Sequence, residues 1–330
     1  PILCVHAGRP EGPEDMSERT SRISLLMLAA AVLLQSGSAG TARAAEEPAA
    51  DLPAVEFRAQ PVRPGLSVLL GGGGNVAVWT GEDGTVLVDD GLDRFAAGLL
   101  EAVAGISPAP VRFVINTHWH PDHTGANESV ARSGGVILAH DNVRTRMSAT
   151  QFIEALQSES PAAPAAALPV VTFADAVSLH LNGDRLDAVH VLDAHTDGDV
   201  ILWWRNANVV HMGDVWSNGR FPFIDLSSGG SLAGLVAAVE LVLDRADGQT
   251  VIIPGHGPVG THAELAAWRD MLVTVGREVR ELVEQGKTED EVLAAGVTAP
   301  YDSIYGQSEF MPPEKFVRIL FQDLAARPAR

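Results

Sequence analysis

Three histidines and one aspartate, His118, His120, Asp122 and His123, fall within six residues of the chain. Imidazole nitrogen and carboxylate oxygen are good ligands for Zn²⁺, with Fe²⁺ or Mn²⁺ as alternative metals. The apolar run Val111–Ile115 just before them predicts a buried strand, so the four side chains occupy the turn at its end. The alternative interpretation is a solvated cluster that arose by chance.

Three further candidate ligands occur downstream, each in a turn that contains glycine beside a β-rich run. His195 precedes an apolar strand, Asp214 follows the run Asn-Val-Val-His-Met-Gly, and His256 stands in Pro-Gly-His-Gly. Loops held on a rigid scaffold commonly carry functional side chains. Because suitable partners recur in this way, the sequence favours a metal site over a chance cluster.

The motif His-Trp-His-Pro-Asp-His, followed by a lone His, a Gly-Asp and a Pro-Gly-His-Gly, resembles the metal site of the metallo-β-lactamase superfamily. The resemblance covers about residues 66 to 260 and implies an α+β fold, the four-layer αββα sandwich. It implies a two-metal centre at one edge of the paired sheets, with two Zn²⁺ per chain. The implied ligands are His118, His120 and His195 for the first metal, Asp122, His123 and His256 for the second, and Asp214 as the bridge.

Such a centre implies a hydrolase. Two zinc ions that share a water lower its pKa from about 16 towards neutrality, so that a bridging hydroxide attacks a carbonyl carbon. In this mechanism Asp122 is the catalytic residue, because it anchors the second metal and orients the hydroxide. Asp89 matches an Asp that ends an early strand near the metals in this family. We expect it to orient a His ligand, with simple turn formation as the alternative.

Asp214 also separates branches of the family that the chain resembles. Many true β-lactamases of this fold carry Cys or Ser there, whereas Asp is usual in glyoxalase II-like thioesterases, lactonases and sulfur dioxygenases. Lactonases that open acyl-homoserine lactones usually carry Tyr three residues further on, where this chain has Ser217. β-Lactam hydrolysis is the leading hypothesis. Thioester or lactone hydrolysis and single-iron sulfur dioxygenation stay open, because one scaffold hosts many chemistries.

The loop after Asp214 is the predicted substrate loop. Asn218 and Arg220 are its obvious polar groups for a substrate carboxylate or oxyanion. Phe221, together with Trp216 and Phe223, would form an apolar wall, and packing in the core is the alternative for these aromatic side chains.

The N-terminal region predicts export. Residues 1–15 begin without Met and are interpreted as upstream translated sequence or a cloning remnant. Residues 16–44 have the form of a signal peptide, with two arginines, a short apolar stretch and an Ala-Arg-Ala exit. The apolar stretch is shorter than the roughly 20 residues of a membrane span, so we expect cleavage rather than an anchor. The expected location is periplasmic, with no stable membrane association after cleavage.

Composition limits the partners. The formal net charge of −19 disfavours nucleic acid, which leaves a small-molecule substrate. The single cysteine, Cys4, precedes the signal peptide, so the mature chain would have no disulfide and no thiolate ligand. The sequence gives no indication of the oligomeric state.

The predicted organisation is a lead-in over residues 45–65, a hydrolase domain over 66–286 and a helical extension over 287–330 with no assigned chemistry. Within the domain, strands are expected at 66–70, 75–80 and 85–89, and long helices at 231–243 and 262–284. The four glycines at 71–74 predict a hairpin loop beside the active site. Residues 160–169, rich in Ala and Pro, predict a loose surface connection.

Overall fold

Two β-sheets form the centre of the part of the chain that the computed structural model describes, residues 55–327. Both predicted N-terminal segments, 1–15 and 16–44, lie outside the described residues. In chain order the strands are β1 (Arg58–Arg63), β2 (Leu66–Leu70), β3 (Val76–Gly81), β4 (Gly84–Val88), β5 (Val111–Ile115), β6 (Val136–His140), β7 (Gln151–Ile153), β8 (Ser158–Ser160), β9 (Val171–Phe173), β10 (Ala176–Leu181), β11 (Asp184–His190), β12 (Val200–Trp204), β13 (Val209–His211), β14 (Val251–Ile253) and β15 (Gly260–Thr261). The first sheet has seven strands in the order β1-β2-β3-β4-β5-β6-β9, the second has six from β10 to β15, and β7 and β8 form a separate hairpin.

Helices accompany both sheets. They are α1 (Ala96–Ile106), α2 (Pro121–Thr124), α3 (Asn127–Arg132), α4 (Asp141–Met147), α5 (Leu232–Arg245), α6 (His262–Glu284), α7 (Glu289–Ala294), α8 (Asp302–Tyr305) and α9 (Pro313–Ala326). The predicted helix 262–284 is confirmed with both its ends. It begins there because Thr261 and Glu264 form a reciprocal capping box. No helix within residues 55–327 is both long and apolar enough to cross a membrane.

The side chains of the central strands alternate between two hydrophobic clusters. Ala77 and Trp79 of β3 point into the cluster between the two sheets, where they meet Leu202 and Trp204 of β12. Val76 and Val78 of the same strand point the other way, against α1 and α3. Because successive strand residues face opposite sides, each sheet is buried on both faces. The predicted αββα sandwich is therefore confirmed.

The outer face of the second sheet is covered by α5, α6 and α9. Leu235, Met271 and Leu320 from these helices share one buried cluster with Trp203 of β12. The stretch from residue 287, predicted as a helical extension, is helical and packs within this layer. Its contacts with the core follow from the apolar faces of helices that are amphipathic along their length.

The first strand, β1, occurs where the sequence predicts only a lead-in. Its residues Arg58-Ala-Gln-Pro-Val-Arg are largely polar and include a proline, so they lack the apolar alternation of a strand. The strand pairs with β2 alone, at the edge of the sheet. Edge strands tolerate proline because one side of their backbone has no partner strand. The segment predicted as a lead-in, residues 45–65, therefore includes one edge strand of the first sheet.

Parallel strands bring the candidate ligands to one end of the sandwich. In the first sheet β4 runs parallel to β5, so Asp89 and the motif that begins at His118 follow neighbouring strand ends. In the second sheet β13 runs parallel to β14, which places Asp214 beside His256. The backbone NH of Val200 donates to Thr117 O, which joins the two sheets at this edge.

Candidate metal centre

Three imidazoles converge at the edge where the sheets meet. The Nε2 of His118 lies 3.1 Å from the Nδ1 of His120, which in turn lies 2.9 Å from the Nε2 of His195. All three side chains are buried. These are the residues that the sequence predicts for the first metal, and we call them the first cluster.

The hydrogen-bond partners behind the first cluster determine which ring nitrogen of each histidine carries a proton. His195 Nδ1 donates to the carbonyl of Phe223 at 2.8 Å, and His120 Nε2 faces the Asp225 carboxylate at 3.0 Å. Thr117 gives its one hydroxyl proton to Asp89, so its oxygen accepts from His118 Nδ1 at 3.0 Å. The three converging nitrogens therefore all present lone pairs, which repel one another unless a cation lies between them.

The second cluster lies beside the first and consists of Asp122, His123 and His256. His256 Nε2 is 3.2 Å from Asp122 Oδ2 and 3.3 Å from His123 Nε2. Asp214 reaches both clusters, because one of its oxygens is 3.2 Å from His123 Nε2 and the other is 3.7 Å from His195 Nε2. The structure thus places Asp214 in the position that the sequence predicts for a bridge.

The two clusters differ in how their histidines bind protons. Burial, reinforced by the neighbouring His120, lowers the pKa of His195 to about 4. Burial also lowers the pKa of His118 well below its usual value. At His256 burial acts in the same direction, but the charges of Asp214 and Asp122 outweigh it and raise the pKa to about 9. His118 and His195 are therefore neutral near neutral pH. In the second cluster the charges of Asp214, Asp122 and Asp89 outweigh burial and also raise the pKa of His123, so both His123 and His256 hold protons that a metal ion would replace.

Residues of both clusters fit divalent metal ions. Each trio offers nitrogen or oxygen atoms that all lie within 4.8 Å of one another. Asp214 Oδ1 is buried and, apart from its 3.2 Å contact with His123 Nε2, has no hydrogen-bond partner among the described residues, so a metal ion would satisfy it. Histidine nitrogen with carboxylate oxygen, and no thiolate, is the ligand set of Zn²⁺, Fe²⁺ and Mn²⁺ sites.

Two buried carboxylates orient the histidines. Asp89 accepts from His123 Nδ1 at 2.8 Å and from the backbone NH of Thr117 at 2.7 Å, so it fixes the motif from behind. This geometry agrees with the orienting role expected from the sequence. Asp225 has the same relation to His120, and the sequence analysis missed it. No motif marks Asp225, which lies 105 residues from its partner.

The glycine run at 71–74 and Gly255 allow backbone to approach the ligands closely. A Cβ at Gly74 would lie 2.2 Å from the His123 ring, and one at Gly73 would lie 2.7 Å from the carbonyl oxygen of Asp122. A Cβ at Gly255 would lie 2.0 Å from Asp214 Oδ1. The predicted loop beside the active site is thus a tightly packed support for it.

Two small cavities open onto the second cluster. Both are lined by Asp122, Asp214, His256, Phe223 and Phe310. The first cavity is also lined by His120, Pro121, Ile153 and Leu156, and the second by Ser217, Arg220, Phe221, Ser308 and Met311. The contribution of Phe310 was missed because the sequence analysis assigned the C-terminal stretch no chemistry.

The predicted substrate residues therefore fall into two groups. Arg220 and Phe221 line a cavity, although Phe221 is almost wholly buried and stacks on Phe316 at 4.8 Å. Asn218 does not line either cavity, because its amide donates to the Pro258 carbonyl at 3.0 Å. Trp216 is fully buried and belongs to the core, which supports the alternative reading for that side chain.

Comparison with known sequences identifies the family. The model of the Metallo-beta-lactamase superfamily matches residues 69–256, more than half of the chain. A hydroxyacylglutathione hydrolase of Anaeromyxobacter dehalogenans is 29% identical over 189 residues, which cover 57% of this chain and 59% of that protein. A metallo-beta-lactamase type 2 of Bacillus cereus is 24% identical over 190 residues, which cover 57% of this chain and 69% of the relative.

Solved structures share the fold. A metallo-beta-lactamase from Pontibacter korlensis aligns with a TM-score of 0.54 and 19% identity, over 66% of this chain and 99% of the other. A sec-alkylsulfatase from Pseudomonas sp. aligns with a TM-score of 0.61 and 16% identity, over 81% of this chain and 50% of the other. These structures share the fold, and the family model over residues 69–256 shows that the chain belongs to the metallo-β-lactamase superfamily of metal-dependent hydrolases.

Proposed function

We propose that the protein is a binuclear zinc hydrolase of cyclic amides or esters, with β-lactams as the leading substrate class. The observation that carries the proposal is the presence of two complete ligand clusters, joined by Asp214, at the base of cavities that offer one guanidinium. The four-ligand sets of nitrogen and oxygen favour Zn²⁺ among the divalent metals that fit.

Each residue has a distinct task in this reaction. When bound, two zinc ions generate a nucleophile from water near neutral pH and polarise the substrate carbonyl. The first cluster presents three imidazoles whose outward nitrogens contact Thr117, Asp225 and the Phe223 carbonyl. Asp122, whose side chain is one-third exposed, faces the cavity from the second cluster and is placed to accept a hydrogen bond from the attacking water.

The cavity walls favour a substrate with an apolar body and one negative charge. Arg220 is the only lysine or arginine among the residues that line the two cavities. Its guanidinium makes no hydrogen bond or ion pair with another side chain in the described part of the chain. Phe223 and Phe310, whose rings lie edge to face at 5.8 Å, provide the apolar wall. A β-lactam carries a carboxylate of this kind beside its reactive amide.

Thioester hydrolysis is the second candidate, because the A. dehalogenans relative is named for hydroxyacylglutathione. Glutathione carries two carboxylates, and the cavities offer only Arg220 against them. The predicted signal peptide at residues 16–44 supports a periplasmic location, whereas glutathione is mainly cytosolic. A single-iron sulfur dioxygenase would need only one of the two clusters.

Metal content and turnover of residues 45–330 test the proposal. We expect two zinc ions per chain and hydrolysis of a chromogenic cephalosporin that chelation abolishes and added zinc restores. S-Lactoylglutathione serves as the competing substrate, and faster turnover of this thioester would replace the proposed substrate class. One iron per chain with no hydrolysis of either compound would contradict the hydrolase itself.

A further inference from the structure

A larger cavity lies behind the metal-binding motif, and the proposed function makes no use of it. Its volume is about 250 Å³, compared with about 140 and 120 Å³ for the two cavities at the second cluster. Trp119 and Pro121 form one wall, and residues of the Ala/Pro-rich segment 160–167 form another. Most of its lining side chains are therefore apolar.

Charged groups at this cavity are largely neutralised. Arg146 makes two hydrogen bonds of 2.7 Å to the Asp197 carboxylate, and Glu128 pairs with Arg132 at 2.7 Å. Asp93, which is exposed, is the one lining side chain with a charge and no ion-pair partner. Because burying an unpaired charge is costly, this cavity suits an uncharged occupant.

The Ala/Pro-rich wall is held in place rather than loose. The backbone NH of Ala163 donates to Met147 O at 2.8 Å, and the Asn127 side chain donates to Ala167 O at 3.0 Å. The prolines in the segment restrict its backbone further. The predicted loose connection is thus anchored, and a wall that is already ordered lowers the entropic cost of binding.

The cavity is one side chain away from the metal centre. The Trp119 ring lies 4.7 Å from the His120 ring, centroid to centroid. Pro121 lines both this cavity and the neighbouring one that contains His120, and it is exposed to solvent. Arg220 lines only the other cavity of the second cluster. A molecule held at the metals can therefore extend over Pro121 towards this cavity, which Arg220 does not line.

We propose that this cavity is a subsite for an uncharged aryl or alkyl arm of the substrate, separate from the Arg220 cavity that would take its carboxylate. The inference rests on the proposed function and narrows its substrate class. An apolar cavity of about 150 Å³ is sufficient to bind benzene, so this larger one accommodates a ring with a short linker. Substrates with such an arm gain affinity that short-armed ones lack.

Filling the cavity tests the subsite. Ala162 lines it, whereas Ala166, on the same segment, is exposed and does not. We compare Ala162→Phe with Ala166→Phe on two cephalosporins, one with a 7-acetamido arm and one with a 7-(4-phenylbutanamido) arm. Ala162→Phe should raise KM about tenfold for the long arm alone, because each methylene that loses its burial costs about fourfold in affinity. Ala166→Phe should change neither KM.

Equal KM changes for both arms in Ala162→Phe, or no change for the long arm, would overturn the subsite. If Ala162→Phe loses both its bound metal and its turnover of the 7-acetamido substrate, the variant is misfolded. Ala149→Phe, at another exposed lining position, then replaces it.

If the wild-type protein hydrolyses neither cephalosporin, the proposed function fails and binding of the neutral dye N-phenyl-1-naphthylamine decides the subsite separately. Dye fluorescence that Ala162→Phe weakens at least tenfold, and Ala166→Phe does not, supports an apolar subsite. Dye binding that is absent, or indifferent to Ala162→Phe, overturns it.

Discussion

The two halves of the metal centre use similar ligands in different surroundings. In the first cluster, His118, His120 and His195 are at most 5% exposed. In the second cluster, the side chain of Asp122 is 33% exposed and that of His256 is 21% exposed. His123 of the second cluster is fully buried, but Asp122 and His256 open into both small cavities, whereas the first cluster reaches only one of them, through His120.

This difference indicates that the first cluster serves mainly to bind a metal, whereas the second must also remain accessible to substrate. Each histidine of the first cluster is already neutral or fixed in tautomer by an oxygen atom behind it, so little must change when a metal binds. The second cluster has to release a proton from His256 and stays accessible to water. Preorganised ligands bind more tightly than those that must lose protons, so the two sites should differ in affinity.

The largest expected effect comes from removing the residue that the clusters share. Asp214→Ala should lose at least one metal equivalent and lower kcat by more than about 100-fold, which exceeds the usual cost of losing a group behind the ligands. Metal analysis and cephalosporin turnover measure both effects. Asp244→Ala, an exposed substitution on α5, is the control. Full activity with both metals retained would remove Asp214 from the bridge.

The second-largest effect is expected from acidification, which should weaken metal binding at the second cluster more than at the first. Below pH 9 a metal at the second cluster displaces the proton of His256, and the raised pKa of His123 adds to this competition, so metal affinity should fall at least about tenfold per pH unit. His195, with a pKa of about 4, has no proton to displace between pH 8 and 6. Equilibrium dialysis against buffered zinc should show at least about 100-fold weaker binding of one equivalent at pH 6 than at pH 8. Parallel loss of both equivalents would contradict the comparison.

Substitution of either carboxylate behind the histidines should weaken metal binding at one cluster only. Asp225→Asn should weaken metal binding at the first cluster by about 10- to 100-fold, because His120 loses its charged partner. Asp89→Asn should do the same at the second cluster through His123. Zinc titration of both variants, with thermal unfolding to check their folding, measures the effect. A uniform loss at both clusters in either variant would mean that the two sites are not held independently.

The smallest effect is expected at Arg220, which lies outside both clusters. Arg220→Ala should raise KM for an anionic substrate up to about fivefold with kcat nearly unchanged, since an exposed ion pair contributes at most about 1 kcal/mol. Arg220→Lys should keep most of the affinity, and Arg245→Ala, at the end of α5, should have no effect. An unchanged KM in Arg220→Ala would exclude it from substrate binding.

The sequence predicted the fold and brought out all seven candidate ligands because each stands in a turn beside a recognisable strand. Their convergence in space agrees with that prediction, and the assignment of individual metals stays a prediction until metals are measured. Asp225 escaped notice because Asp-Leu-Ser-Ser-Gly has the composition of an ordinary turn. Its role depends on a contact with His120 across 105 residues, which no local pattern encodes.

The residues that line the substrate cavities were harder to predict, for a related reason. Asn218 and Trp216 follow Asp214 closely, yet one binds a backbone carbonyl and the other is buried in the core. Phe310 reaches the same cavities from almost 100 residues further along the chain. Proximity in sequence to a ligand is therefore a poor guide to contact with substrate, because loop direction decides which side chains face the cavity.

The glycines at 73 and 74 have a consequence for how this protein can vary. Any side chain there would collide with Asp122 or His123. Substitution of either glycine is therefore excluded as long as the protein depends on its metals. Another wall of the site, with Ile153, Leu156 and Phe310, supplies no candidate ligand, so apolar substitutions of similar size there leave the ligand set unchanged. New substrate preferences can therefore arise on one wall by single substitutions, while the other keeps the chemistry constant.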